Sequence, residues 1–359
     1  MVANGRPDGD PLSLLLVSAP STGKTEIARS VVGLPGVVEA ATITEASLLS
    51  GTAKRDVTKE ATGGLLRQIG SLGTIFCKDF TSVLSMNRDA ARQALAALRE
   101  VSDGYWHRAV GTDGGRVLKW SGKCSVLGCV TPSLDRHHSL MGTLGDRFLL
   151  QRGHPHERDQ IARAALRGVG AERTMRADLA AAMRVLVESA NLDQLTRELS
   201  DDETQWLTDL ALLASQARTA CERDGYTHEV LVLPELEGPG RLVRQLRLLF
   251  GGLESIGVDL DLCRDLVERV AVDCVPAIRT ATMRALLAAD APIRTSAVAE
   301  QLGVVTKTAE LHLEDLALLR IADRSKTSDA VNAPNLWVPS EWLIEQEPKV
   351  REKCTYIRV

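Results

Sequence analysis

The chain of 359 residues is 44% hydrophobic, 25% charged and only 3% aromatic. This composition favours folded domains over a disordered chain, and it predicts cores filled by aliphatic side chains on helices. The net charge of -4 excludes a global positive field that would draw the whole chain to nucleic acid or to anionic membranes. Any contact with DNA therefore has to use local basic patches.

Cysteines and apolar runs indicate the compartment. The seven cysteines are scattered, with no CxxC pair and no Cys/His cluster at zinc spacing, so we interpret them as reduced thiols. The apolar run 14–17 is far too short to span a bilayer, and no signal-peptide pattern precedes it. We therefore expect a cytoplasmic protein without membrane contact.

Four histidines lie in two close pairs, His137 with His138 and His154 with His156. Because no cysteine or carboxylate stands near them at ligand spacing, we interpret them as loop residues rather than as a metal site.

Hydrophobic patterning predicts an α/β fold at the start of the chain. The run 12–17 is typical of a buried parallel strand, and a glycine-containing turn and a helical pattern over 25–32 follow it. Further strand-like runs at 73–77 and 125–130 are separated by an amphipathic helical stretch over 87–101. We expect five segments: a flexible leader (1–10), an α/β nucleotide-binding core (11–156), a helical region with a lid (157–276), a winged helix-turn-helix (277–345) and a tail (346–359).

The segment Ser18–Thr25 joins the first strand to the first helix and ends in Gly-Lys-Thr. In a phosphate-binding loop, Gly23 permits close backbone approach, Lys24 reaches the β- and γ-phosphates, and the Thr25 hydroxyl binds Mg²⁺. Ser18 replaces the usual first glycine, and a coincidental turn is the alternative. ATP and Mg²⁺ are the expected cofactors, and the candidate nucleotide-binding residues are Ser21, Thr22, Gly23, Lys24, Thr25 and Glu26.

An acidic residue at the end of a second buried strand completes such a site, because it holds the hydration shell of Mg²⁺. Asp79 follows the apolar run 73–77 and lies 55 residues after Lys24. We expect Thr25 and Asp79 to hold the metal, Asp79 through water. The alternative is an aspartate that only caps the next turn.

With both elements in place, the stretch 48–152 resembles AAA+ ATPases, particularly the clade with a hairpin before sensor 1, which includes enhancer-binding activators and MCM helicases. The motifs that carry the resemblance are Leu49-Ser-Gly-Thr52, Ala61-Thr-Gly-Gly64 and Gly73-Thr-Ile-Phe-Cys-Lys-Asp79. Most hydrolysing relatives place a glutamate directly after the aspartate, where this chain has Phe80. Hydrolysis is then slow, or a remote acid such as Glu60 substitutes.

Two strand-like runs around a Gly/Asp turn, 105–120, lie where that clade inserts its hairpin. The resemblance implies DNA contact, for which Arg108, Arg116 and Lys119 beside Trp106 and Trp120 suit phosphate binding plus stacking. A structural hairpin with a solvated basic face is the alternative.

The resemblance also assigns residues that respond to nucleotide. Thr131 takes the position of sensor 1 and Arg241 that of sensor 2. Arg147, favoured over Arg152, takes that of an arginine finger, although an ordinary surface salt bridge is the alternative. The expected catalytic residues are Lys24, Asp79, Thr131 and Arg147. An arginine finger implies that the chain partners itself in a homo-oligomer such as a hexameric ring.

The segment 283–319 resembles a winged helix-turn-helix, with a small-residue helix, a turn at Gly303 and a third helix. The expected core is Ala299, Leu302, Leu311, Leu316 and Leu319. The candidate DNA-binding residues are Thr306, Lys307, Thr308 and His312 on the third helix, with Arg324 and Lys326 in the wing. Because Glu310, Glu314 and Asp315 make the third helix acidic, DNA binding and protein docking both stay open.

Core, helical lid and winged helix together resemble origin-recognition ATPases and helicase loaders as well as activators. The function this implies is an oligomeric AAA+ ATPase that couples ATP binding and hydrolysis to DNA remodelling or translocation, in replication, mobile-element biology or phage defence. The alternative is a nucleotide-gated DNA-binding regulator or protein-docking switch with weak or no hydrolysis.

Overall fold

The structure is a computed structural model that describes residues 1–6, 8–51, 63–111, 115–142, 147–153, 158–328 and 333–351, with side chains up to residue 346. The chain forms two compact units. The first contains residues 1–197 and 251–258, and the second contains residues 198–250 and the chain from Asp259 onward.

A parallel sheet of five strands forms the centre of the first unit. The strand order is β2-β3-β6-β1-β7, and every neighbouring pair is parallel. Side chains on both faces are buried, since helices cover a sheet of this kind on each side. The strands of this unit, including the separate hairpin β4–β5, are β1 (Ser13–Val17), β2 (Val37–Ala40), β3 (Leu72–Cys77), β4 (Tyr105–Val110), β5 (Arg116–Ser121), β6 (Lys123–Val130) and β7 (Phe148–Arg152).

Helices and short 3₁₀ turns connect these strands. The longest that packs on the sheet, over 88–102, begins where the Asn87 side chain accepts the Ala90 amide, and it buries an apolar stripe at helical spacing. The helices of this unit are α1 (Lys24–Arg29), α2 (Glu45–Leu48), α3 (Leu65–Ile69), α4 (Thr81–Leu84), α5 (Arg88–Ser102), α6 (His138–Gly142), α7 (Arg158–Arg167) and α8 (Glu172–Glu188). The 3₁₀ turns are Val2–Asn4, Pro132–His137 and Leu192–Thr196.

The helices α7 and α8 belong to the first unit, whereas the sequence pattern assigns residues from 157 onward to a separate helical region. The reason is packing. Met183 and Val187 of α8 lie against an apolar cluster that contains Ala28 of α1 and Val31, which follows α1. Helical periodicity marks a helix but not the unit on which it packs.

Polar contacts join described residues of the first segment to the rest of the first unit, where the sequence predicts a flexible leader over 1–10. The Asn4 side chain is buried and pairs with both backbone groups of Leu12: its amide nitrogen donates to the Leu12 carbonyl (2.9 Å), and its oxygen accepts the Leu12 amide (2.7 Å). The buried Lys123 ammonium donates to the carbonyls of Arg6 and Asp8. These contacts, of which only those of Lys123 are long-range in sequence, anchor a segment that has no hydrophobic periodicity.

The second unit begins with helices and ends in a winged helix. Its elements are α9 (Asp201–Arg218), α10 (Gly240–Ser255, divided between the units), α11 (Leu260–Asp273), α12 (Ala277–Leu287), β8 (Ile293–Arg294), α13 (Thr295–Leu302), α14 (Thr306–Leu318), β9 (Ala322–Lys326), β10 (Asn335–Pro339) and α15 (Glu341–Arg351). Strands β8, β10 and β9 pair antiparallel in that order. Helices α12 to α14 followed by this small sheet are a winged helix-turn-helix.

The core of the winged helix centres on Trp337, which is fully buried and donates its indole N–H to the Thr295 hydroxyl at 2.9 Å. Of the expected core residues, Ala299, Leu316 and Leu319 are buried, whereas Leu302 and Leu311 are half-buried. Leu313 is buried as well. Among the residues that the structure describes, no helix combines the length and hydropathy that a membrane crossing requires.

We predict that Asn4→Ala lowers the free energy of unfolding by about 1–3 kcal/mol, because it removes two buried hydrogen bonds and leaves the Leu12 backbone groups unpaired. Urea denaturation of the variant measures this. Asp8→Ala, at an exposed position of the same segment, is the control and should change the free energy little. Equal stability of all three proteins would show that the segment is not anchored.

Candidate nucleotide-binding site and nucleic-acid interface

The loop between β1 and α1 has the backbone geometry of a phosphate-binding loop. Gly23 is in the left-handed conformation (φ 84°) and immediately precedes α1. Because glycine has no side chain, no side chain of the N-cap residue caps the N-terminus of α1. Ser21 also has a positive φ of 63°, which costs a residue with a side chain about 1–2 kcal/mol. Strain of this kind is concentrated at ligand sites.

The Lys24 ammonium lies within the loop. It donates to the carbonyls of Ser18 (2.8 Å) and Ala19 (3.3 Å), while the Ser18 hydroxyl pairs with that of Thr22 at 2.7 Å. Ser18, which replaces a glycine of the motif, therefore helps to close the loop. Phosphate oxygens are stronger partners for an ammonium than neutral carbonyls, so Lys24 can exchange these bonds for a nucleotide.

The metal side of the candidate site surrounds the thiol of Cys129, near the end of β6. Burial raises the pKa of this thiol, and three neighbouring residues also shift the pKa. The Thr25 hydroxyl donates a hydrogen bond to the sulfur, and the Lys24 charge also lowers the pKa, whereas the Asp79 charge raises it. Lys24, Thr25 and Asp79 thus all lie near enough to Cys129 to influence its thiol, and their joint role in holding a metal stays a prediction.

Asp79 is the second residue after β3, which ends at Cys77. Its carboxylate is exposed and accepts the Thr81 amide at 3.1 Å, so it also caps the short α4. The Asp79 amide donates to the Cys77 sulfur, whose pKa burial raises to about 12. Both interpretations of Asp79, metal-site acid and turn cap, are compatible with this geometry.

Phe80 fills the position where an acid would activate water. Its side chain is fully buried and meets Phe148 edge to face, with ring centroids 5.4 Å apart. Its backbone amide donates to the Cys129 carbonyl at 2.7 Å, which ties the Asp79 turn to β6. The remote acid considered above, Glu60, lies outside the described residues.

Thr131 follows β6 at the same edge of the sheet. Its hydroxyl pairs with that of Ser133 at 2.6 Å, and its amide donates to the Thr81 hydroxyl. Arg152, at the end of β7 beside Val17, forms a bidentate ion pair with Asp135 at 2.7 and 3.1 Å. This ion pair lies at the same edge of the sheet as the P-loop. The sequence favours Arg147 over Arg152 as the arginine finger.

Arg147 pairs with Asp103 at 2.9 Å, and its side chain is only 14% exposed. It precedes β7 and so lies at the amino end of that strand, whereas the P-loop lies at the carboxyl ends. Within one chain the structure therefore displays the salt-bridge alternative. Action on a neighbouring subunit stays a prediction, as does the sensor role of Arg241, which lies in the first turn of α10.

Glu26 was expected to bind nucleotide, but its carboxylate is committed to α8. Arg176 holds it with two hydrogen bonds of 2.7 and 2.8 Å, which lower the pKa of Glu26. The Glu26 amide donates to the Gly23 carbonyl, and a role of Glu26 in binding nucleotide stays a prediction.

The hairpin β4–β5 is where the resemblance places it, but its tryptophans are not available for stacking. Trp106 and Trp120 face each other across the hairpin and are buried. Arg108 lies on that same buried face and donates to the Leu49 carbonyl at 2.6 Å, and Arg116 is half-buried. Strand alternation explains the error, since it turns these residues inward and leaves Lys119 on the exposed face. The tip, 112–114, lies outside the described residues.

Of the three acidic residues of α14, only Asp315 is buried, and each of the three pairs with a basic side chain. Asp315 is buried and accepts hydrogen bonds from Arg279 (3.1 Å) and Arg223 (2.9 Å), and Glu314 pairs with Arg223. Glu310 is neutralised by Lys307. The carboxylates that argued against DNA binding are thus paired, two of them on the inner side of the helix.

The remaining interface residues divide by exposure. Thr306, Lys307, Arg324 and Lys326 are exposed, and the Arg324 guanidinium lies 5.9 Å from the ring centre of Trp337. Thr308 is half-buried, and so is His312, whose pKa is lowered by burial. His312 was expected to be an exposed reader, and it is not, since it packs towards Asp315 on the inner side of α14.

Within the described ranges, no group of three or more His, Cys, Asp or Glu residues could hold a metal ion unaided. His154 and His156 lie outside those ranges. A magnesium ion at Thr25 and Asp79 would need nucleotide oxygens and water as its other ligands, which is how Mg²⁺ is usually bound.

Strand order, loop position, hairpin and winged helix define the class: an α/β protein with a five-stranded parallel sheet, a loop of P-loop type after its first strand, a helical region and a C-terminal winged helix. No family model matches the chain, and no curated protein does. One similar solved structure is that of the Aeropyrum pernix Orc1 protein in complex with DNA. It shares 15% identity over 96% of this chain and 87% of the other, with a TM-score of 0.26.

We predict that Asp315→Asn lowers the free energy of unfolding by about 3 kcal/mol, because it leaves two arginines without their buried counter-charge. Thermal or urea unfolding followed by circular dichroism measures the loss. Glu310→Gln is the matched control on the same helix, and its exposed pair should change the value by less than about 1 kcal/mol. Similar values for both variants would contradict the inward network.

Proposed function

We propose that this chain is an oligomeric AAA+ ATPase that binds ATP and Mg²⁺ and couples ATP binding and hydrolysis to DNA remodelling or translocation. One observation carries the nucleotide part. The Lys24–Thr25 segment and Asp79, which lies 55 residues after Lys24, follow strands that end at the same edge of the sheet, and all three residues influence the Cys129 thiol beside the N-terminus of α1. Ligands of open α/β sheets bind at this carboxyl edge.

Each residue has a distinct task in this proposal. The backbone over 21–26 holds the phosphates, Lys24 leaves its loop carbonyls for the β- and γ-phosphates, and Thr25 and Asp79 orient the magnesium shell. Bound Mg²⁺ neutralises charge that develops on the phosphates. Thr131 orients water, and Arg241 together with Arg147 of a neighbouring copy responds to the γ-phosphate.

The winged helix supplies the DNA part of the proposal. Thr306, Lys307, Arg324 and Lys326 present an exposed polar and basic surface while Asp315 faces inward. This charge arrangement suits phosphate contact, with α14 in the major groove. Lys119 on the outer face of the hairpin is a second candidate contact.

A second function is favoured by Phe80. Because no acid follows Asp79 and the Phe80 ring is buried, hydrolysis is slow or absent in this alternative. The chain is then a nucleotide-gated regulator whose winged helix binds DNA or docks a partner protein. Replication, mobile-element biology and phage defence are the contexts proposed for either function.

The nucleotide site is tested by titrating a fluorescent ATP analogue into the protein. We expect Lys24→Ala to weaken binding at least about tenfold, because a charge-assisted contact to phosphate is lost. Asp79→Asn should weaken binding with Mg²⁺ present and leave metal-free binding unchanged. Lys307→Ala, a lysine of the winged helix, is the control and should bind as wild type does. A wild-type protein without affinity for ATP would refute the site.

Turnover separates the two functions. An ATPase assay with and without DNA should give activity that Lys24→Ala and Asp79→Asn both abolish, if the chain is an ATPase. ATP binding without turnover under either condition would select the gated regulator. Equal turnover in wild type and Lys24→Ala would indicate a contaminant and count against the enzyme.

DNA binding is tested by fluorescence anisotropy with duplex DNA over a range of salt. We expect Lys307→Ala and Arg324→Ala each to reduce the slope of log K against log salt by about 1, since each removes one phosphate contact. Arg92→Ala, an exposed arginine on α5, should leave the slope unchanged. Slopes unchanged in all three variants would favour protein docking by the winged helix.

A further inference from the structure

One exposed apolar surface lies at the turn between α7 and α8. Leu166 and Val169 are 74% and 72% exposed, and Met175 is 43% exposed. Two exposed arginines, Arg167 and Arg173, lie among them in sequence. We call these five residues the basic apolar surface.

The basic apolar surface is exposed because α8 contacts the rest of the first unit through other residues. Within the first unit, helix α8 packs through Met183 and Val187 and forms the ion pair of Arg176 with Glu26. Neither α7 nor α8 has a fully buried residue within the described chain. Gly168 lies against the Met175 side chain, so the turn and the first part of α8 form one patch. Large aliphatic side chains in such a position usually mark an interaction site.

A second exposed apolar surface lies in the loop between α9 and α10. Leu231, Val232 and Leu233 are consecutive and are 60%, 64% and 76% exposed. Glu229 and Glu235 stand on either side of them and are exposed. We call these five residues the acidic apolar surface.

Hydrogen bonds fix both ends of the loop that carries the acidic apolar surface. On one side the Leu231 amide donates to the Glu222 carbonyl at 2.9 Å, and on the other Glu237 accepts two hydrogen bonds from the buried Arg218. The apolar residues between these anchors are therefore presented to solvent by a fixed loop.

The two surfaces have opposite charge. Residues 222–237 contain five acids and one arginine, and that arginine, Arg223, binds inward to Asp315. Residues 158–188 contain six arginines and four acids, and because Arg163 pairs with Asp159 and Arg176 with Glu26, four arginines remain against three acids. Apolar centres of similar size with complementary rims are typical of protein interfaces.

We propose that the basic apolar surface of one copy binds the acidic apolar surface of a second copy. Because the two surfaces differ, the contact is head to tail, and each copy uses one surface for each of its two neighbours. Such a contact closes into a ring or extends as a filament. The inference rests on the oligomer in the proposed function, and it specifies the surfaces that build it.

The test uses full-length chains with one surface reversed in charge. Arg167→Glu/Arg173→Glu removes the basic surface, and Glu229→Arg/Glu235→Arg removes the acidic one. In sedimentation velocity with Mg²⁺ and ATP, wild type should form assemblies larger than dimers, and each variant alone should be monomeric. An equimolar mixture of the two variants should again form assemblies larger than dimers, because the two intact surfaces pair with each other and the two charge-reversed surfaces are complementary as well.

A control and a rescue complete the design. Arg88→Glu/Arg92→Glu reverses the same charge on the exposed face of α5 and should assemble as wild type does. A chain that carries all four interface substitutions should recover higher assemblies, since the charges are exchanged. The substituted side chains are exposed, so the fold should be retained, which circular dichroism checks.

The inference is overturned if wild type binds ATP but stays monomeric, or if both surface variants assemble normally. A mixture that stays monomeric also counts against a head-to-tail contact. Binding of the fluorescent ATP analogue is measured on the same samples. Loss of ATP binding in wild type would refute the nucleotide site, whereas loss of assembly with intact ATP binding in the variants supports the interface.

Discussion

Parallel pairing of β6 with β1 on one side and β3 on the other positions every group of the candidate nucleotide site in the first unit. Val17 lies beside Val130, and Cys77 lies beside Gly128, so the P-loop and the Asp79 turn leave the sheet at the same edge. The hydrogen bond from the Phe80 amide to the Cys129 carbonyl then fixes that turn. A slip of one residue would turn each strand's side chains to the opposite face and separate these groups.

The second unit depends in a similar way on Asp315. A carboxylate on the inner side of α14 draws in Arg279 from α12 and Arg223 from the preceding loop. Arg279 also donates to the carbonyls of Ala217 and Thr219 at the end of α9. The same group therefore joins the helical region to the winged helix and removes negative charge from the exposed face. A helix that is acidic in sequence can in this way present a surface suited to DNA.

Much of the architecture could be predicted from local pattern. Short apolar runs marked three strands of the sheet, and the Gly-Lys-Thr segment marked the turn between β1 and α1, because period and turn chemistry are local properties. The errors concern contacts between residues far apart in sequence. Asn4 anchors a segment without periodicity, Trp106 turns inward, and Asp315 finds arginine partners 36 and 92 residues away. No periodicity reveals such pairings.

The candidate site was predictable to a similar extent. Lys24, Thr25 and Asp79 carry motif signals, whereas Cys129 carries none and was missed, although its place at the end of a predicted strand could have identified it as a neighbour of the P-loop. The ion pair of Glu26 could not be foreseen, because its partner, Arg176, lies 150 residues away.

The remaining choice, between an ATPase and a nucleotide-gated switch, turns on Phe80. The groups proposed to bind phosphate lie in one loop, where Ser21 has a positive φ and Lys24 donates to the Ser18 carbonyl. The group that would activate water is replaced by a ring that packs against Phe148 in the core. A carboxylate in that buried position would be expensive to ionise, so substitution there would disturb the core. The absence of an acid next to Asp79 is thus part of the packing, and any hydrolysis has to recruit its base from another segment or another copy.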